Sequence, residues 1–215
     1  MKIKCKCDYS FEIEYKKTLS LDDNPQLIDD IINGKFLSFI CPSCRSKINM
    51  ELKTEFIWKA KKTKLLFAPE QDRIECLSSC AGEKMIDSKT DKEIENTYVK
   101  KDQTPVIGYP ELVDRLSALR NNLNPETIEA VKFFILEGAK NLDVKKASIY
   151  FEKILPDEKL EFHVHGIKKD ETAIMPIPKT LYTQIEKDKK KHTEIFAALY
   201  LGSYLSYKNI FIGEK

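Results

Sequence analysis

Long apolar runs are missing from this sequence: nowhere do about 20 hydrophobic residues follow one another, the length a helix needs to cross a bilayer, so no association with a membrane is expected. No basic leader with an apolar stretch behind it opens the chain, and the expectation is a cytoplasmic protein with reduced thiols. Glycine is sparse, with seven in 215 residues, and none of them builds a phosphate-cradling loop. Histidine is rarer still, at three, with no His-Glu-x-x-His pair, and the nucleophile elbow of the α/β-hydrolases is absent too. Charge of one sign is also lacking. Against 36 basic residues stand 34 acidic ones, a net charge of +2, which argues against a general DNA coat. These absences remove several enzyme signatures and leave the role of an enzyme uncertain, more unlikely than not.

What is present is concentrated at the start. Four of the six cysteines come in two close pairs, Cys5-Lys6-Cys7 and Cys41-Pro42-Ser43-Cys44. Each pair presents two thiolates from one tight turn, and two such turns can close a tetrahedral four-sulfur site around one structural zinc ion. Alternation in Phe11-Glu12-Ile13-Glu14-Tyr15 and the run Phe36-Leu37-Ser38-Phe39-Ile40 read as strands carrying these knuckles, as in a zinc ribbon. Two disulfides are the alternative, but a chain of this length can bury an ordinary core and requires no cysteine staple.

The opening Met1-Lys2-Ile3-Lys4-Cys5-Lys6-Cys7 with Phe11-Glu12-Ile13, then Asn24-Pro25-Gln26-Leu27, Gly34-Lys35-Phe36 and Phe39-Ile40-Cys41-Pro42-Ser43-Cys44, resembles the bacterial and archaeal CpXC family. Leu66-Phe67-Ala68-Pro69-Glu70 and Tyr109-Pro110-Glu111-Leu112 look like weaker continuations of the same resemblance. It implies zinc held by these cysteines and carries no catalytic residue or substrate. The family usually places glycine after each knuckle, where Asp8 and Arg45 stand here. Arginine tolerates a left-handed turn poorly, so the second knuckle is either looser or built on ordinary helical angles.

Between the knuckles, Asn24 and Pro25 read as N-cap and first turn of a short helix with Leu27, Ile28, Ile31 and Ile32 as its apolar stripe, ended by Gly34. Strands follow to Pro69, interrupted by the basic turn Lys59 to Lys64. Trp58, Lys61, Lys62 and Lys64 are the candidate nucleic-acid contacts there, since aromatics stack bases and lysines neutralise phosphates. A solubilising hairpin tip with its aromatics turned inward accounts for the same residues. Residues 71–104 read as an irregular connection. They hold Cys76 and Cys80, four apart and therefore on one face if helical, which can serve as metal ligands, a redox pair, or simply small packed side chains.

From Pro105 the pattern changes. Helices starting at Pro110 and at the cap-plus-proline signature Asn124-Pro125-Glu126-Thr127 form an αα-hairpin. Three strands follow, 147–151, 160–166 and 172–176, with turns at 156–159 and 168–171. His163 and His165 share a strand face with Glu161. With Cys76 and Cys80 they are the candidates for a second metal, and the bland alternative is a solvent face. A helix after Pro178 and another from Thr193 to Tyr207 complete the chain, with Phe196, Tyr200, Tyr204 and Tyr207 at helical spacing, favouring docking on the sheet over partner binding.

The expected fold is α+β: a zinc-ribbon-like module with an inserted helix (1–70), the connection (71–104), and a mixed α/β region containing the αα-hairpin (105–215). The expected function is a structural-zinc interaction or regulatory module with a protein partner. A nucleic-acid-binding zinc ribbon and an enzyme with its site in the C-terminal region are the alternatives.

Overall fold

The structure is a computed structural model that describes residues 1–86, 92–139, 143, 146–167 and 171–212. The start of the chain forms β1 (Lys2–Lys4) and β2 (Ser10–Glu12), an antiparallel pair with Ile3 opposite Phe11. Then come β3 (Thr18–Ser20), α1 (Gln26–Ile32), and a second antiparallel pair, β4 (Ser38–Ile40) and β5 (Lys47–Asn49). Each pair has a cysteine knuckle at its turn, the arrangement expected of an elaborated ribbon. Gly34 ends α1 at φ 65° as foreseen. Asn24 does not cap with its side chain; only its carbonyl accepts, from Leu27 N at 3.1 Å.

β6 (Thr54–Trp58) and β7 (Thr63–Ala68) form a hairpin at the centre of a four-stranded sheet. Next come α2 (Arg73–Ala81), β8 (Lys84–Ile86), β9 (Glu93–Glu95), β10 (Thr104–Ile107) and α3 (Tyr109–Arg120). The sheet order is β10-β7-β6-β3, and both outer strands run parallel to their neighbours. Parallel neighbours demand crossover connections. The crossover from β3 to β6 is α1 plus the β4–β5 hairpin, so the second knuckle is built into a core connection. The crossover from β7 to β10 contains α2 and the β8–β9 hairpin. The stretch 71–104 is thus structured where described, because apolar Cys76 and its neighbours find a place against Ala68 and Ile107 that no local pattern announces. Residues 87–91 of its polar run lie outside the described residues. Alternation places Phe56, Trp58, Leu65 and Phe67 on the sheet face covered by Ile31 of α1 and Leu112 and Leu116 of α3.

α4 (Pro125–Gly138) follows, capped by Asn124, whose side chain accepts from Glu126 N at 2.9 Å. The antiparallel meander β11 (Ser148–Ile154), β12 (Lys159–His165) and β13 (Thr172–Pro178) packs Phe151, Phe162 and Val164 against Ile128 and Val131 of α4. Its first turn is as read, with Leu155 N donating to Lys159 O at 2.8 Å; residues 168–170 of the second lie outside the described residues. α5 (Lys179–Lys187), α6 (Thr193–Ala198), β14 (Tyr200–Leu201), β15 (Tyr204–Leu205) and α7 (Lys208–Ile212) complete the fold.

The helix expected from Thr193 to Tyr207 therefore stops at Ala198. The chain turns back through Gly202 at φ 57°, where a Cβ would lie 1.9 Å from the carbonyl oxygen of Cys80. Phe196, Tyr204 and Tyr207 are buried, on three different segments, while Tyr200 keeps 40% of its surface. Tyr204 and Tyr207 dock inward as favoured, Tyr200 does not, and the residues do not form one helical stripe.

The αα-hairpin of α3 and α4 joins the two cores, since Leu112 and Leu116 belong to one and Ala118 to the other. Buried ions lock it. Lys132 Nζ lies 2.7 Å from both Asp114 Oδ2 and Glu129 Oε1, Asp114 Oδ1 accepts from Phe151 N at 2.5 Å, and Glu129 Oε2 accepts from Tyr207 N at 3.0 Å. Burial pushes the Asp114 carboxyl up to about 6, with the attraction of Lys132 only partly offsetting it. Burial acts on Lys132 to lower its pKa, but its two carboxylate neighbours outweigh that and raise it.

Candidate metal centre

Each knuckle is a tight turn held by its own backbone. Cys5 N donates to Tyr9 O at 2.8 Å and Asp8 N to Cys5 O at 3.0 Å; in the second, Cys41 N donates to Ser46 O at 2.9 Å and Arg45 N to Cys41 O at 3.0 Å. Asp8 and Arg45 adopt φ of 65° and 61°. The turn that glycine would make freely is therefore made here by two residues with side chains, and the ordinary helical alternative at Arg45 is excluded.

The hairpins bring the four sulfurs together, all within 4.8 Å of one another. Cys5 Sγ lies 3.7 Å from Cys44 Sγ, and Cys7 Sγ 3.7 Å from Cys41 Sγ. A tetrahedral ion with metal–sulfur bonds of about 2.3 Å separates its sulfurs by about 3.8 Å, whereas a disulfide bond spans about 2.05 Å. The spacing fits the first and not the second, so the four cysteines can hold a metal ion. Cys5 and Cys41, the first of each pair, are buried; Cys7 and Cys44 are exposed. Each knuckle thus anchors one sulfur in the module and leaves the other at the rim.

Ser46, which no sequence pattern singled out, joins this site. Its hydroxyl lies 3.0 Å from Cys44 Sγ and 3.4 Å from Cys5 Sγ, bridging the knuckles. The Ser46 hydroxyl and then its backbone N–H hold the Cys44 thiol down to about 6, and Cys5 is lowered by backbone N–H contact at Cys7 and again by Ser46. Cys7 takes a backbone hydrogen bond that lowers it, but the neighbouring Cys44 thiol and burial carry it up to about 11. A shared proton pool of this kind is released when a cation binds.

The other candidates do not assemble. Among the described residues, no second group of three or more His, Cys, Asp and Glu side chains lies within metal-binding reach. Cys76 and Cys80 sit on α2 against Ala68 and Ile107. His163 and His165 do share the outer face of β12 with Glu161, as the alternation requires. There His163 Nε2 is 2.9 Å from Glu161 Oε1, while His165 Nδ1 pairs with Thr172 Oγ1 at 3.1 Å. Trp58 is only 9% exposed and part of the core. Lys61 donates to Asn122 and the exposed Lys64 pairs with Asp102, leaving Lys62 as the exposed lysine of that set without a side-chain partner among the described residues. Among the described residues no helix is long and apolar enough to cross a membrane.

Fold and site together define an α+β protein with a four-cysteine cluster, able to hold a metal ion, carried on two β-hairpins. The chain belongs to the CpXC family: the model described as "CpXC protein" matches residues 3–132, from β1 into α4. It is also 46% identical over 214 residues to an uncharacterized protein of Treponema pallidum (strain Nichols), covering 98% of each chain. No solved structure matches.

Proposed function

We propose that the chain is a structural-zinc protein acting as an interaction or regulatory module, with one zinc held by Cys5, Cys7, Cys41 and Cys44. The observation that carries this reading is the closed set of four sulfurs, all within 4.8 Å. Four thiolates in tetrahedral array suit zinc or iron, and zinc adds no redox chemistry of its own. Four protein ligands leave no position for substrate or water, so the ion contributes to folding. Action then falls to surfaces. The one best suited to a protein partner is a groove of about 500 Å³ between α4, β13 and α5, lined by Phe134, Met175, Ile177 and Leu181. Nucleic-acid binding has weaker support, because Trp58 lies in the core rather than on a stacking platform.

Elemental analysis of protein purified without added metal tests the centre: one zinc per chain is expected, and iron or no metal would sink it. A photo-crosslinking residue in place of Leu181 tests the partner. A specific protein adduct that disappears with Phe134→Asp supports the interaction role, and the absence of any specific adduct removes it.

A further inference from the structure

Cys76 and Cys80 lie outside the metal centre. Both face the contact between α2 and the β14–β15 hairpin. Cys76 is fully buried and packs with Ala68, Ile107 and Tyr204. Cys80 is half-buried, with Ser203 Oγ 3.9 Å from its sulfur. The Cys76 thiol, four residues back on the same helix, holds the Cys80 thiol down to about 7, helped by Ser203 and the backbone N–H of Tyr204 against the opposing effect of burial. The neighbouring Cys80 thiol, then burial, pushes Cys76 far above the ordinary thiol range. One sulfur is thus accessible and readily ionised, and beside it sits a buried, protonated one. That is the division between a thiol that reacts first and a thiol that resolves the product.

We propose that Cys76 and Cys80 form a peroxide-responsive dithiol, in which Cys80 is oxidised first and Cys76 closes an intrahelical disulfide with it. In the first step the Cys80 thiolate attacks one oxygen of hydrogen peroxide. The O–O bond breaks, hydroxide leaves and is protonated to water, and Cys80 becomes a sulfenic acid. In the second step the Cys76 sulfur attacks the Cys80 sulfur, the S–O bond breaks, and the departing hydroxide takes the Cys76 proton as a second water. Two electrons pass from the two sulfurs to the peroxide.

The closure has a structural consequence. Residues four apart on a helix hold their Cβ atoms about 5–6 Å apart, whereas a disulfide takes about 3.5–4.5 Å. The last turn of α2 must tighten, and it can: Cys80 is the penultimate helical residue, ahead of Gly82 at φ 74°. The Cys80 carbonyl, however, abuts Gly202, where a Cβ would sit only 1.9 Å away. Tightening therefore shifts the β14–β15 hairpin, whose Tyr204 hydroxyl donates to Glu111 of α3 at 3.0 Å.

The test is peroxide titration of the metal-loaded full chain, followed by trypsin and mass spectrometry, since both cysteines fall on the single peptide Ile74 to Lys84. The expected product is that peptide two hydrogens lighter, with faster proteolysis around Gly202. Cys76→Ser should accumulate a sulfenic acid at Cys80 that dimedone captures, and Cys80→Ser should leave Cys76 reduced. Cys76→Ala substitutes if the serine variant fails to fold. The proposal is overturned if the peptide stays reduced while Cys5, Cys7, Cys41 and Cys44 oxidise, or if Cys76 reacts as quickly without Cys80.

Discussion

Among single residues, the candidate metal centre depends on two besides the cysteines. Ser46 touches two of the four sulfurs, at 3.0 and 3.4 Å, and groups that orient metal ligands influence affinity strongly. Ser46→Ala should weaken metal retention by about 10-fold, read by competition with a chromophoric chelator, and unchanged affinity would mean that the hydroxyl only fills space. Arg45 carries a left-handed φ of 61°, a conformation that disfavours any side chain with a Cβ. Arg45→Gly is therefore expected to stabilise the metal-loaded protein by about 1 kcal/mol, visible as a higher urea midpoint. The cysteines themselves were legible because paired ligands repeat at short spacing. Ser46 was not, because its role comes from a hairpin folding back onto a sulfur 41 positions away.

The secondary-structure elements depend on contacts between segments remote in sequence. Gly202 has no room for a side chain against Cys80, whereas a Cβ on Gly138 at the end of α4 would meet nothing within 4 Å. Gly202→Ala should cost roughly 2–3 kcal/mol through overpacking. Gly138→Ala should be neutral or gain up to about 1 kcal/mol from helix propensity. Thermal unfolding of the two variants side by side checks the contrast. The ion cluster of the α3–α4 hairpin adds a pH dependence. Asp114 is raised to about 6 in the fold, above about 3.9 in an unfolded chain. Its contribution to stability is therefore complete below about 3.9 and is lost as pH rises through about 6. Relative to Asp114→Asn, the wild type should lose stability between about pH 4 and 7 in urea titrations; parallel curves would show that Asp114 keeps its charge throughout. The αα-hairpin was readable from apolar spacing and the Asn124-Pro125 cap, but its buried Lys132 was not, since lysine at such a position reads as surface.

For the whole molecule, the second knuckle lies inside the crossover between β3 and β6, so metal loss should propagate into the first sheet and less into the second core. Cys44→Ser is expected to open the first fifty or so residues to limited proteolysis while fragments containing α4 and the β11–β13 meander persist. An unchanged cleavage pattern with unchanged metal content would refute a folding role for the ion. The sequence by itself determined the four candidate ligands, the α+β class, the helical hairpin and the three-stranded meander, because these depend on local spacing, alternation and caps. Only the tertiary structure decided that the described parts of 71–104 belong to the folded body, that Trp58 is core, that Tyr204 and Tyr207 are buried from separate segments, and that Cys80 meets Gly202. Each of these is a pairing of distant segments, and burial in such a pairing is decided by which surfaces meet rather than by any residue's own preference.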